Sequence, residues 1–159
     1  MLQYYEMSDS RFSFIWDSLL TKVKTEEIIL CSKVIKELDN FLTKGANNLK
    51  DFLDNLKDVK PKEENQFYIR EVVKTYEKNK SKFKGSFERF AIETSADLSL
   101  IAIALEYKEI GDECFILTDE IMPSIPDNSN KIKLNIPSLA KLLEIECIKS
   151  EKGITIFLN

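Results

Sequence analysis

Apolar residues return at helical spacing from the start of the chain. Over residues 11–24 (RFSFIWDSLLTKVK), Phe12, Ile15, Trp16, Leu19, Leu20 and Val23 fall on one face, which predicts an amphipathic helix. EEIILCS then breaks the period and reads as a short buried strand from about residue 27 to 31. Ser32 is placed to cap a second helix. Val34, Ile35, Leu38, Phe41 and Leu42 carry that helix toward an end near Gly45, and Leu49, Phe52, Leu53 and Leu56 continue a helical pattern as far as Pro61. Residues 65–90 keep the helical period but are rich in lysine. SADLSLIAIALEY predicts a helix that is apolar nearly all the way round, started by Thr94 and Ser95. CFIL, residues 114–117, reads as a second strand ending at Thr118-Asp119-Glu120, with a loop containing Pro123, Pro126, Asp127 and Asn128 beyond it. Pro137 suits the first turn of a short helix, SLAKLLE. Strand candidates at 146–148 and 154–158 flank a turn at Lys152-Gly153.

Helices alternating with short, wholly apolar strands predict an α/β fold. The expected form is a three-layer sandwich with a short, mostly parallel sheet flanked by helices. A length of 159 residues suits one domain over 1–159, with 60–90 a lysine-rich helical segment and 150–159 a C-terminal strand extension. In such sheets ligands bind beyond the carboxyl ends of the strands, here Cys31-Ser32 and Thr118-Asp119.

Composition narrows the chemistry. The net charge of -4 gives no global attraction to nucleic acid, so any such binding needs a local basic patch. No run approaches the roughly 20 apolar residues of a membrane span, and MLQYYEMSD has neither the basic start nor the apolar stretch of a signal peptide. The expectation is a cytoplasmic protein without a membrane partner. Cys31, Cys114 and Cys147 lie in apolar runs without a CxxC pair and read as buried thiols. Histidine is absent, which excludes Ser-His-Asp and Cys-His catalysis and histidine-bound metals. Enzymatic chemistry would have to rest on carboxylates, lysines, hydroxyls or a hard metal with oxygen ligands.

Three acidic positions adjoin apolar structure: Glu37 in the second predicted helix, Asp97 at the start of the apolar helix, and Asp119-Glu120 after CFIL. Each has a plain alternative. Glu37 suits the outer face of an amphipathic helix. Asp97 stands three residues after Thr94, close to a capping box, and its charge complements the helix dipole by about 0.3–1 kcal/mol. Asp119 and Glu120 are also ordinary loop acids. Gathered at one sheet edge, however, carboxylates need a cation between them. Mg²⁺ or Mn²⁺ suits oxygen ligands, lowers the pKa of a bound water and stabilises charge on a phosphodiester.

The segments CSKVIKELDNF, SADLSLIAIALEY, CFILTDE and LNIPSLAKLLEIECI, in that order, resemble the PIN domain family over roughly residues 13–149. That family comprises compact α/β metal-dependent nucleases, among them the toxin components of many prokaryotic toxin-antitoxin pairs. The resemblance implies a ribonuclease using Mg²⁺ or Mn²⁺, with Glu37, Asp97 and Asp119 or Glu120 as the metal-site acids and Thr118 as a neighbouring hydroxyl. RNA, an antitoxin protein and a second copy of the chain are the implied partners, with exposed aromatics such as Tyr4, Tyr5 and Trp16 available to a dimer. Trp16 suits a core equally well.

One departure stands out. PIN domains begin with a central strand ending in Asp-Thr or Asp-Ser, and that Asp is a metal ligand, whereas this chain begins MLQYY. Two accounts fit. Either the natural protein starts further upstream, or this is a degenerate PIN fold, a catalytically inactive binding or assembly module in which 154–158 fills part of the sheet. Lys74, Lys78, Lys80, Lys82 and Lys84, facing only Glu77, add a candidate RNA track. Tyr68, Tyr76, Phe83, Phe87 and Phe90 are interleaved with them and either stack on bases or turn into the core.

Overall fold

The computed structural model describes residues 13–40, 42, 47–84, 95–123, 131–149 and 152–153. Gly45, Phe87, Phe90, Thr94 and the strand expected at 154–158 lie outside the described residues. The chain divides into two compact units, residues 1–62 with 151–159, and residues 63–150.

The first unit holds helices α1 (Ser13–Lys24), α2 (Ser32–Asn40) and α3 (Asn47–Asn55). The apolar stripe of α1 packs on α3, which also contacts α2. Trp16, Val23, Leu49, Phe52 and Leu56 form the core between them. The Trp16 and Phe52 rings lie 5.4 Å apart at a tilt of 58°, a geometry that adds about 0.5–1.5 kcal/mol to their burial. Trp16 is therefore a core residue, only 5% exposed, and does not serve a dimer surface.

The strand expected at 27–31 is replaced by a single parallel bridge, Cys31 to Lys62, in which the Lys62 amide donates to Leu30 O at 2.9 Å. The cause is local. The amides of Glu27 and Ile28 still donate to Lys22 O at the end of α1, and the Glu27 carboxylate is held by the Lys22 ammonium. That leaves too few residues to extend. The cap of α2 also differs from expectation. The helix includes Ser32, and the Val34 amide donates to Cys31 Sγ at 3.4 Å.

The second unit holds α4 (Gln66–Asn79), a 3₁₀ turn (Lys80–Lys82), β1 (Phe83–Lys84), α5 (Ala96–Glu109), β2 (Phe115–Leu117), β3 (Ile132–Lys133), α6 (Ile136–Leu142) and β4 (Glu146–Ile148). The strands form two parallel pairs, β1 with β3 and β2 with β4, the latter placing Ile116 opposite Cys147. The fold is thus α/β with parallel pairing. Helix α5 is apolar nearly all round because it is covered by α4, β2 and α6. Leu98, Ala102, Leu139, Ala140, Val72 and Tyr76 in this core are wholly buried. Ser99 is buried with them at 0% exposure, and its hydroxyl donates back to Ser95 O.

Two helix ends of the second unit use the device that also ends α1, where Glu26 takes φ +60 with its amide on Val23 O and the Glu27 amide on Lys22 O. After α5, Gly111 takes φ +92, its amide donates to Lys108 O, and the Asp112 amide donates to Tyr107 O. After α6, Glu144 takes φ +56, with its amide on Lys141 O and the Ile145 amide on Ala140 O. Both are Schellman ends, for which glycine is the unstrained choice. The turn expected at Lys152-Gly153 is helical instead. No helix among the described residues is long and apolar enough to cross a membrane.

Candidate functional site

The acids predicted from sequence divide between the two units. Glu37 lies exposed on α2 in the first unit. Asp97, Thr118, Asp119 and Glu120 all belong to the second.

Asp97 occupies the first turn of α5, partly buried, where its charge complements the helix dipole. The N-cap is Ser95, whose side chain makes no capping bond, and the third helical residue is Leu98. The capping box expected from Thr94 falls on a residue outside the described ones. Helix α5 and strand β2 pack together across the turn at Gly111, so the chain doubles back on itself. The Cys114 thiol donates to Ala104 O at 3.2 Å and levels the two elements. From Ala104, Asp97 lies about 10 Å back along the helix. From Cys114, Asp119 lies about 16 Å on along extended chain.

At the carboxyl end of β2 the chain is tied down by side chains. Thr118 continues the β2–β4 ladder, its amide donating to Ile148 O at 3.0 Å, and its hydroxyl accepts from the Glu120 amide at 3.1 Å. Glu120 Oε2 in turn accepts from the amide of Ile136 at 2.9 Å. That bond completes the start of α6. An α-helix leaves its first amides without intrahelical partners. Here Ile136 uses Glu120, Pro137 has no amide hydrogen, and the Ser138 amide uses Asn135 Oδ1 at 3.0 Å. The Ser138 hydroxyl accepts from the Asn135 amide at 2.9 Å, a capping box with Ser in the acid's usual place. Asn135 Nδ2 also donates to Ile121 O at 3.0 Å. Glu120 thus clips the end of β2 to the start of α6, a role that its spacing from Asn135 in sequence conceals.

A cleft of about 530 Å³ is lined by the residues after β2, by α6 and by β4 along its length. Thr118 and Glu120 border it, Ile121, Met122, Pro137 and Ile145 supply apolar wall, and Lys141 and Lys149 supply cations. Ile121 is 66% exposed and Met122 41%, unusual for large apolar side chains beside a cavity. Cys147 lines the same cleft. Burial pushes its thiol up to about 11, and the carboxylates of Glu120 and Glu146 act in the same direction. Burial also raises the Cys114 thiol. All three cysteines are free, but only Cys31 is fully buried, against the expectation for all three.

Within neither unit do three or more Asp, Glu or Cys side chains among the described residues gather as a metal cluster. The five lysines from Lys74 to Lys84 are exposed. Lys74 pairs with Glu71 and Lys80 with Glu77. Of the aromatics expected either to stack on bases or to turn into the core, Tyr76 and Phe83 take the core, 0% and 4% exposed with rings 5.9 Å apart. Half-buried Tyr68 is covered edge-on by exposed Phe67.

The family model described as Domain of unknown function (DUF4411) matches residues 2–155, and the chain belongs to that family. Neither a curated protein nor a solved structure matches it.

Proposed function

We propose that this chain is a PIN-like ribonuclease that hydrolyses RNA phosphodiesters with Mg²⁺ or Mn²⁺. The observation that carries the reading is that α5, which opens with Asp97, packs on β2, a parallel strand with Thr118 and Asp119 just beyond its carboxyl end. Parallel α/β sheets place their ligands at that end.

The donors suit a hard cation. Asp97 and Asp119 offer carboxylate oxygen and Thr118 a hydroxyl, and Mg²⁺ takes one or two protein carboxylates while keeping several waters. Such an ion supplies charge that stabilises a phosphodiester under attack and acidifies water. The chain's own part is positioning. Thr118 is fixed by the ladder to β4, which sets the direction of Asp119 beside it. Glu120 accepts from the Ile136 amide, which ties the end of β2 to the start of α6. A paired antitoxin and a second copy of the chain are partners of the same proposal.

A second reading is a PIN-fold binding module without catalysis. It is favoured by the absence of a three-acid cluster within either unit among the described residues. Incubating the purified chain with labelled single-stranded RNA and Mn²⁺ separates the two. Cleavage that is stopped by EDTA and lost in Asp97→Asn and Asp119→Asn supports the enzyme. RNA left intact at every metal concentration supports the module.

A further inference from the structure

The β1–β3 pair puts like charges side by side. Its register sets Lys84 opposite Lys133, on strands about 4.8 Å apart. Alternation turns Phe83 into the core with Ile132 half-buried beside it, and leaves Lys82, Lys84, Lys131 and Lys133 exposed. Like charges facing one another across a strand pair repel, so this ribbon weakens the fold unless an anion lies over it. Among the described residues, Lys82, Lys84 and Lys133 have no ion pair.

The ribbon continues a stripe on α4. Phe67, Lys74 and Lys78 recur at helical spacing on the side opposite buried Val72 and Tyr76, and Arg70 flanks them. The acids of this segment are both engaged, Glu71 by Lys74 and Glu77 by Lys80, while Arg70 and Lys78 have no ion pair among the described residues. Residues 66–84 and 131–133 hold eight cations against those two acids, in a chain whose net charge is -4, so positive charge is segregated to this part of the second unit. Charge is not its only feature. Phe67 is 60% exposed at the head of the stripe, and Tyr68 holds its ring edge-on at 5.1 Å. A fixed, exposed ring among cations is a platform on which an unpaired base stacks. Lysines near the end of α4 also complement the helix dipole, but that effect stops at the last turn and does not account for Lys84 facing Lys133.

We infer that this surface is the RNA track of the chain. A single strand stacks a base on Phe67, follows Arg70 and Lys78 along about 16 Å of α4, and lays its phosphates over the Lys84–Lys133 ribbon. Lys133 lies outside the lysine-rich segment, and only the pairing of β1 with β3 brings it there. The inference rests on the ribonuclease reading for its ligand class and adds where the strand lies. An acidic protein segment is the competing occupant, and the exposed ring favours RNA.

The test is fluorescence anisotropy of a labelled single-stranded RNA on the full chain, in EDTA so that cleavage plays no part, over a series of salt concentrations. The Lys84→Thr/Lys133→Thr pair is expected to bind roughly tenfold more weakly, with its salt slope lower by about 1.4, the loss of two single-strand phosphate contacts. Its denaturation midpoint is expected at or above the wild type's, because the like-charge pair is gone and threonine suits a strand. Phe67→Ala is expected to bind roughly tenfold more weakly with its salt slope unchanged. Lys50→Ala/Lys57→Ala, exposed lysines of the first unit, is expected to bind like the wild type. Equal loss in the two lysine pairs overturns the inference, because it means diffuse charge. Poly-glutamate that competes as well as unlabelled RNA, with Phe67→Ala binding like the wild type, overturns it in favour of an acidic protein segment. Wild-type RNA affinity and wild-type cleavage in Mn²⁺ by the Lys84/Lys133 variant overturn it while leaving the ribonuclease reading in place. A wild-type chain that neither binds RNA at low salt nor cleaves it in Mn²⁺ overturns both.

Discussion

Replacing Glu120 by alanine isolates the clip between β2 and α6. In the wild type, Glu120 Oε2 is the acceptor for the Ile136 amide, 2.9 Å away, and Ile136 is only 6% exposed. No other acceptor is available from the helix itself, because the first amides of a helix point away from it. An orphaned buried amide costs about 1–3 kcal/mol. Water can reach the exposed position that the carboxylate leaves, so the lower part of that range applies, about 1–2 kcal/mol for Glu120→Ala. Glu120→Gln keeps an acceptor oxygen and gives up only the charge at the helix start, about 0.3–1 kcal/mol. Chemical denaturation followed by far-ultraviolet circular dichroism reads the global loss, and hydrogen exchange at the Ile136 amide reads the local one. The expected order is wild type, then Gln, then Ala, with Ile136 exchanging fastest in Ala. Unchanged exchange at Ile136 in Glu120→Ala, or equal losses in Ala and Gln, would refute the reasoning.

Three further outcomes follow from other parts of the molecule. Leu98→Ala removes a wholly buried side chain from the face of α5 and is expected to cost about 2–5 kcal/mol by denaturation, far above the exposed Lys78→Ala. Glu144→Gly relieves the left-handed backbone at φ +56 and loses only the exposed ion pair to Lys108, so a gain of about 0.5–1 kcal/mol is expected in the same assay. Cys147, with its thiol pushed from 9.0 to about 11, is expected to alkylate at pH 8 about a hundredfold more slowly in the folded than in the unfolded chain, read by peptide mapping. The sign for stability is that the folded state holds this proton more tightly, so the contribution is complete below pH 9 and is lost as the pH rises through 11.

Much of the second unit was legible because its periodicity is strong and its ends carry local signals. The apolar CFIL and ECI runs emerge as the parallel pair β2–β4, and Pro137 stands in the first turn of α6. The all-round apolarity of α5 marked burial correctly, since three elements cover it. The misreadings arose where a distant or neighbouring partner overrides local pattern. EEIILCS has strand composition, yet Lys22 O holds two of its amides on the end of α1. The aromatics among the lysines have helical spacing, which a stacking platform and a core face share, and burial chooses the core for Tyr76 and Phe83. Glu120 and Asp119 are equivalent acids in sequence. In the structure Glu120 accepts from the amide of Ile136, far along the chain, a partner that sequence spacing does not announce.

The most direct test of the central claim is anomalous scattering from crystals of the full chain soaked in Mn²⁺. The account predicts a peak coordinated by Asp97 and Asp119, and its loss in Asp97→Asn. A well-ordered site with no manganese at millimolar concentration, or with manganese bound only at surface acids elsewhere, would contradict it.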